Sequence, residues 1–292
     1  MSESVIADFV AKFDSDTLRR PEPVTGRILL SEKRLVLAVG DDDKLTVPLS
    51  SILDIAVGHV PEELSGFFQS TVTVAFERGG GRNVVVVEAD DNTIEKFSTV
   101  LFKALLNGTR MTVKHPARIG GRVTDAEFTP AQLRLKPRQV VFETADEHIT
   151  ISLSTVTEFS RSTRDIFGDK RPVLEVRHMP GADSMLTMAA TDSSRKMSIL
   201  GRYLRIEYSD LLAEIEDIEI SRDQKEILVA IYSGASGEGI SLSQIVDADP
   251  SKVTMLLNRL EDDELVVDSS EGMTLTPKGQ VVVSKHLEDV NV

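Results

Sequence analysis

Apolar and polar positions alternate with a period of two from residue 24 onward. Val24-Thr-Gly-Arg-Ile-Leu-Leu-Ser31 and Arg34-Leu-Val-Leu-Ala-Val39 read as a strand pair turned at Ser31-Glu-Lys33. A turn at Asp41-Asp-Asp43 leads into a strand over 44–47, and a further strand over 52–57 follows Pro48, a residue suited to an edge or bend. Residues 71–77 and 83–88 form a hairpin across Arg78-Gly-Gly-Gly81. The period then changes: Ile94, Phe97, Leu101 and Leu105 share one helical face, with Asp91 or Asn92 as the N-cap. At the N-terminus, Val5, Ile6, Phe9, Val10 and Phe13 recur around Asp8 and Lys12, which predicts an amphipathic helix over 1–13 and not a signal peptide.

The same text is written twice. Leu45-Thr-Val-Pro-Leu-Ser-Ser-Ile-Leu-Asp-Ile55 returns without a gap as Ile149-Thr-Ile-Ser-Leu-Ser-Thr-Val-Thr-Glu-Phe159. Its alternation of buried Leu45, Val47 and Leu49 with polar Thr46 and Ser50 marks it as scaffold, a strand and its exit. Around the second copy, Gly120-Gly-Arg122 answers Thr25-Gly-Arg27, strands fall at 133–135, 140–143, 173–177 and 185–189, and Asp192 or Ser193 caps a helix. That helix carries Met197, Leu200 and Leu204 and continues through Tyr208, Leu211, Leu212 and Ile215 as a stiff arm, because 202–220 lack Gly and Pro. A domain-sized repeat of strands closed by one helix is the order of a pleckstrin-homology-like module.

From Ser221 the pattern is helical. Ser221, Ser241 and Asp249-Pro250 each open a helix, and the third carries Val253, Leu256, Leu257 and Leu260. A hairpin at 265–275 turning through Asp268-Ser-Ser-Glu-Gly272, and a last helix from Pro277, complete a winged-helix pattern. The expected fold class is α+β: two tandem antiparallel β modules, 1–110 and 111–220, each closed by a helix, followed by a winged helix over 221–292.

Composition removes several chemistries. The 292 residues contain no cysteine, so disulfides, thiol catalysis and sulfur-ligated metals are excluded. No long apolar run offers a membrane span, and a cytoplasmic protein is expected. The five histidines are scattered and read as surface or loop residues. Gly79-Gly-Gly81 precedes a strand, not the helix a phosphate loop needs, and Ser50, Ser154 and Ser193 have no triad companions. No catalytic, metal or cofactor site is expected. A net charge of −14 suits a high-salt cytoplasm, and equally an ordinary acidic protein.

Charge is uneven. Between 134 and 205 there are twelve Lys/Arg against nine Asp/Glu, which suggests a docking face for an acidic or phosphorylated partner beside the alternative of a mixed, solvated surface. Two loops follow the repeated stretch, 58–68 with Phe67 and Phe68, and 160–171 with Phe167. The first reads as a lid. The second reads as the docking loop, and Arg161, Arg164, Phe167, Lys170, Arg171 and nearby Arg177 are the candidate partner-binding residues. The third winged-helix helix could offer Lys252, Thr254, Asn258 and Arg259 to DNA, but six Lys/Arg against thirteen Asp/Glu over 221–292 oppose phosphate binding.

The combination of Val24-Thr-Gly-Arg27, the stretch at 45–55, its echo at 149–159 and the ending Leu275-Thr-Pro-Lys-Gly279 resembles the archaeal taxis protein CheF family over essentially the full chain. The resemblance implies a non-enzymatic chemotaxis adaptor that binds the phosphorylated response regulator CheY and couples it to the archaellum switch proteins ArlC, ArlD and ArlE. It implies recruitment to the motor base, no nucleic acid and no stable membrane insertion, and leaves homodimerisation open. The acidic composition suggests a haloarchaeal member. The competing reading is a winged-helix transcription regulator.

Overall fold

The computed structural model describes residues 4–18, 22–40, 42–58, 70–180, 183–216, 218–233, 242–269 and 272–290. It is an α+β protein that divides into two compact units. One is Met1–Thr109 with Gln132–Leu135 and Ser193–Arg205; the other is Arg110–Ala131 with Lys136–Asp192 and Ile206–Val292.

The first sheet is built from β1 (Val5–Ser15), β2 (Val24–Ser31), β3 (Arg34–Ala38), β4 (Lys44–Pro48), β5 (Ile52–Val57), β6 (Thr71–Arg78) and β7 (Gly81–Glu88). Its order, β4-β3-β2-β1-β7-β6-β5, joins two local meanders through a single non-local pairing of β1 with β7, where Phe13 faces Val87. The N-terminal segment expected to be a helix is therefore the central strand. Residues 5, 9 and 13 fit both a helical face and a strand face. What separates the two is that Ala11, Phe13 and Ser15 are buried while Val10 is 68% exposed, which is a period of two.

Inside lie Ile28, Leu30, Leu35, Leu37, Leu45 and Val47, supplied by alternate positions of β2 to β4. Gly26 is required there: a Cβ would stand 2.4 Å from the Ala38 carbonyl oxygen and 2.9 Å from the Phe13 ring. Helix α1 (Asp91–Leu106) closes the unit with Ile94, Phe97, Leu101 and Leu105, and Phe97 meets Phe9 at 5.0 Å between ring centroids. Its N-cap is Asp90, one residue ahead of the expected position, whose carboxylate accepts from the Thr93 amide at 3.1 Å.

Helix α2 (Ser194–Glu216) gives its first part to this unit. Arg195 donates to the Ser50 carbonyl at 2.7 Å, Arg202 pairs with both oxygens of Asp54 at 2.7 Å, and Lys196 donates to the Leu105 carbonyl. Burial, with a smaller contribution from the Arg195 charge, pushes the Lys196 pKa below its ordinary value. Ser50 and Asp54 both belong to the repeated stretch, so in this copy the scaffold holds a helix.

The second sheet comprises β8 (Thr109–Ile119), β9 (Arg122–Val123), β10 (Thr129–Lys136), β11 (Gln139–Glu143), β12 (His148–Ser152), β13 (Val156–Ile166), β14 (Asp169–His178) and β15 (Met185–Ala190). With β9 set aside on β8, the order β12-β11-β10-β8-β15-β14-β13 reproduces the first sheet strand for strand. The duplication is thus visible in topology as well as in sequence. One expected correspondence fails: Gly26 lies inside β2, whereas Gly120 and Gly121, both with positive φ, make the β8–β9 turn. The true counterpart of β2 is β10, which carries no glycine.

The C-terminal residues form α3 (Arg222–Tyr232), α4 (Leu242–Ile245), α5 (Pro250–Asp262), a hairpin of β16 (Val266–Ser269) and β17 (Gly272–Leu275), and α6 (Pro277–Val290). Ser221 and Gln224 cap α3 reciprocally, and the Asp249 carboxylate takes the amides of Ser251 and Lys252. The cap expected at Ser241 lies outside the described residues. Ile227, Leu228, Val253, Leu256, Leu260 and Leu265 share one core.

The ending Leu275-Thr-Pro-Lys-Gly279 has a structural reason. The Thr276 hydroxyl donates to the Glu264 carbonyl at 2.6 Å and the Lys278 ammonium to the Asp263 carbonyl at 2.9 Å. A Cβ on Gly279 would fall 2.0 Å from the Leu265 carbonyl oxygen. The motif latches the start of α6 to the end of α5. Among the described residues no helix is long and apolar enough to cross a membrane.

Candidate protein-docking site

The segment expected as a docking loop is instead the β13–β14 hairpin. Its ladder runs from Glu158 opposite Arg177 to Ile166 opposite Asp169, leaving only Phe167 and Gly168 in the turn. Both turn residues have positive φ, 57° and 87°, the backbone twist that a two-residue hairpin turn requires, and the Asp165 carboxylate accepts from the Gly168 amide at 2.9 Å. Ser160-Arg-Ser-Thr-Arg-Asp165 conceals the strand because it is polar on both faces, so no alternation betrays it.

Register separates the six candidates by face. Arg164, Arg171 and Arg177 share one side with Glu158, Ser162 and Glu175; Arg161 and Lys170 share the other with Phe159, Asp165 and Leu174; Phe167 stands at the tip, 73% exposed. The first group is already neutralised. Arg164 makes two hydrogen bonds to Glu175 Oε1, at 2.9 and 2.7 Å, Arg171 reaches Asp192 at 2.7 Å and Asp169 at 3.2 Å, and Arg177 meets Glu158 at 3.1 Å.

Burial pushes the Glu175 carboxyl up. The Ser162 hydroxyl at 2.6 Å and the guanidiniums of Arg164 and Arg118 outweigh it and hold the group below the usual carboxylate range. Among the described residues, Arg161 and Lys170 have no carboxylate partner. Arg164, Arg171 and Arg177 are thus paired with carboxylates of the same unit, while among the described residues Arg161 and Lys170, on the hairpin with the exposed Phe167, are not. The loop of the first copy, 58–68 with Phe67 and Phe68, lies beyond Gly58 outside the described residues.

Two cations that the sequence reading did not single out belong near Arg164. Lys114 and Arg118 of β8 sit opposite Met188 and Leu186 of β15, on the face that carries Arg164 and Glu175. They fall upstream of the basic interval counted along the chain, and β8 itself was not expected, so only pairing in the sheet brings them in.

Two of the five histidines also differ from expectation, while His59 lies outside the described residues. His178 is buried and His115 half-buried; the Thr187 hydroxyl lies 2.8 Å from His115 Nδ1 and 3.0 Å from His178 Nε2, and the two rings stack at 5.7 Å. Burial, followed by the neighbouring His115, pushes His178 down to about 4, and burial also lowers His115. Both imidazoles are neutral at pH 7 and act as core hydrogen-bond partners. His148 is exposed on β12. Among the described residues no cluster of His, Cys, Asp and Glu could hold a metal ion. Of the side chains that α5 could offer to DNA, Lys252 is paired with Asp223 at 2.6 Å and the Thr254 hydroxyl donates to the Pro250 carbonyl, leaving Asn258 and Arg259 exposed ahead of the acidic run 261–264.

A family model described as archaeal chemotaxis signal transduction system protein F matches residues 5–210. The chain belongs to the CheF family. Taxis protein CheF2 of Halobacterium salinarum is 45% identical over 292 residues, covering all of both chains, and taxis protein CheF1 of the same organism is 30% identical over 297 residues, covering 99% of each. The CheF match ends inside α2, whereas both relatives align through the C-terminal helices, so that region is part of what these CheF proteins share in length. Among solved structures, the C-terminal domain of an unknown protein from Leishmania infantum is 10% identical over 35% of this chain and 85% of its own, with a TM-score of 0.27. Membership places this CheF protein in archaeal chemotaxis signalling.

Proposed function

We propose that this CheF protein is a non-enzymatic adaptor that binds phosphorylated CheY and couples it to the archaellum switch proteins ArlC, ArlD and ArlE. Its two sheets, each with a closing helix, read as pleckstrin-homology-like modules over 1–110 and 111–220, and the three helices with their hairpin over 221–292 as a winged helix. The observation that carries the docking role is the β13–β14 hairpin: two cations without a carboxylate partner among the described residues and an exposed aromatic tip, in a chain of net charge −14. Elsewhere on that hairpin arginines meet carboxylates of the same chain, so Arg161 and Lys170 remain available to an acidic partner, with Phe167 as the apolar anchor. The protein then works in a haloarchaeal cytoplasm and is recruited to the motor base.

Capture of the regulator, with and without phosphorylation and in high-salt buffer, tests this. Arg161→Ala/Lys170→Ala should lose phosphorylation-dependent capture while Arg177→Ala keeps it, and unchanged capture by the double variant rejects the assignment. A DNA-binding reading draws on Asn258 and Arg259 exposed along α5. Saturable, sequence-dependent binding of promoter fragments by the full chain would favour it, against the electrostatic opposition of the acidic C-terminal region.

A further inference from the structure

Beside Arg164 on the second sheet lies a cavity of about 560 Å³, within the range of ligand sites. Its lining is apolar at Val123 and Phe128, over the buried Ala117 and Met188, and cationic at Lys114, Arg118 and Arg164. Arg164 is committed to Glu175. Lys114, half-buried, and Arg118, exposed, have no carboxylate partner among the described residues. Asp165 also lines the cavity, but its carboxylate is engaged by the Gly168 amide at the hairpin turn. The field of Arg118 is felt by its surroundings, since it helps hold the Glu175 carboxyl below its usual range.

We infer that this cavity is a second docking site, one that takes an acidic peptide segment of a protein partner. A carboxylate of the segment sits between Lys114 and Arg118, and an adjacent apolar side chain enters over Val123 and Phe128. Charge complementarity selects the class: a cationic pocket on a strongly acidic protein is a local attractor for negative side chains. The apolar side of the cavity argues against a free inorganic anion, which would leave the exposed Val123 and half-buried Phe128 uncovered. The rim argues against a membrane. The exposed Asp165 lines the cavity, and an extended anionic surface would meet it together with the cations, whereas a narrow segment does not. The site does not depend on the docking assigned to Arg161 and Lys170. It supplies the separate surface that a protein joining two partners requires.

The test is fluorescence anisotropy of the full-length protein with a labelled short peptide alternating aspartate and leucine. Saturable binding is expected, weakened about tenfold or more in Lys114→Gln/Arg118→Gln, a loss of about 1.4 kcal/mol or more. It should be retained in Arg161→Gln/Lys170→Gln and clearly weaker when the leucines are replaced by serine. Circular dichroism of each variant keeps loss of fold apart from loss of binding. The inference is overturned if wild type does not bind, if Lys114→Gln/Arg118→Gln binds like wild type, or if the serine peptide binds equally. It is equally overturned if inorganic phosphate displaces the peptide at comparable concentration, or if anionic vesicles bind with the same dependence on Lys114 and Arg118. Loss of regulator capture in Arg161→Ala/Lys170→Ala, with peptide binding intact, separates the fate of this site from that of the hairpin.

Discussion

The two sheets share one strand order and one strand–3₁₀ turn–strand stretch, yet they use the stretch differently. In the first, the Ser50 carbonyl and the Asp54 carboxylate grip Arg195 and Arg202 of α2. In the second, Glu158, the counterpart of Asp54, turns to Arg177 across its own hairpin, and Leu153 and Ser154 line a cavity of about 310 Å³ with Tyr208 and with Lys278 and Val281 of α6. The edge strand that follows is six residues in the first sheet and eleven in the second. A duplicated scaffold therefore fixes where strands run. What each copy touches is set by the few side chains at the exit of the stretch and by how far the next strand is extended.

The sharpest break in the comparison should come at glycine. Gly26→Ala forces a Cβ against the Ala38 carbonyl and should cost about 3 kcal/mol, because backbone on both sides must move. Gly121→Ala in the second sheet has open space and pays only for its positive φ, about 1 kcal/mol. Urea unfolding of the two variants measures the difference, and equal losses would contradict the non-equivalence of these glycines.

Next in size is pH. With His178 held at about 4 in the folded protein, against an ordinary value near 6.5, the unfolded chain takes up a proton that the folded one refuses in this window. Stability falls as pH drops from about 6.5 towards 4 and this contribution levels off below. Thermal melts across that range should show a shallower decline for His178→Gln, which keeps a hydrogen-bonding group beside Thr187. An unchanged slope would mean that the imidazoles are not the groups refusing protons.

Tyr208 lies in the second unit, where its hydroxyl donates to the Val156 carbonyl at 3.2 Å and its ring meets Phe159 edge-on at 5.2 Å; burial pushes its pKa up to about 12. Tyr208→Phe should cost about 1 kcal/mol, seen as a lower urea midpoint, by leaving that carbonyl without its donor.

The smallest effects concern the paired carboxylates. Asp54→Ala should cost about 1 kcal/mol, since both oxygens bind Arg202 and the carboxylate is only 29% exposed. Glu158→Ala should cost about 0.5 kcal/mol or less because its pair with Arg177 is half in solvent. The reverse ranking in chemical denaturation would mean that the stretch is equally committed in both copies.

Much of this was legible along the chain. The repeated stretch, the caps at Ser221 and Asp249, and the hairpins on either side of Gly79 and near Gly272 follow from local preferences, and each forms where its residues indicate. The first strand of each copy was not legible, and for one physical reason. β1 and β8 each lie on one side against a nearby strand, β2 and β10, but on the other pair with β7 and β15, far away in sequence, so the local pattern announces only half of their pairing. The spacing of Val5, Phe9 and Phe13 satisfied a helix equally well, and β8 carries Pro116 within it. Of the candidate docking residues only the basic interval was legible; that they form the β13–β14 hairpin, and which of its cations are spent on carboxylates, was invisible.

The sequence by itself determined the duplication, the α+β class, the local stops and starts of most elements, and a charge contrast between the middle of the chain and its ends. These depend on neighbours within one turn or one hairpin. Tertiary structure alone decided that Arg171 would be neutralised by Asp192, that Arg202 would reach back to Asp54, and that Lys114 and Arg118 would stand with Arg164 around one cavity. A charge is free or spent according to what lies within about 4 Å of it, and in a sheet that distance is set by pairing between strands distant in the chain.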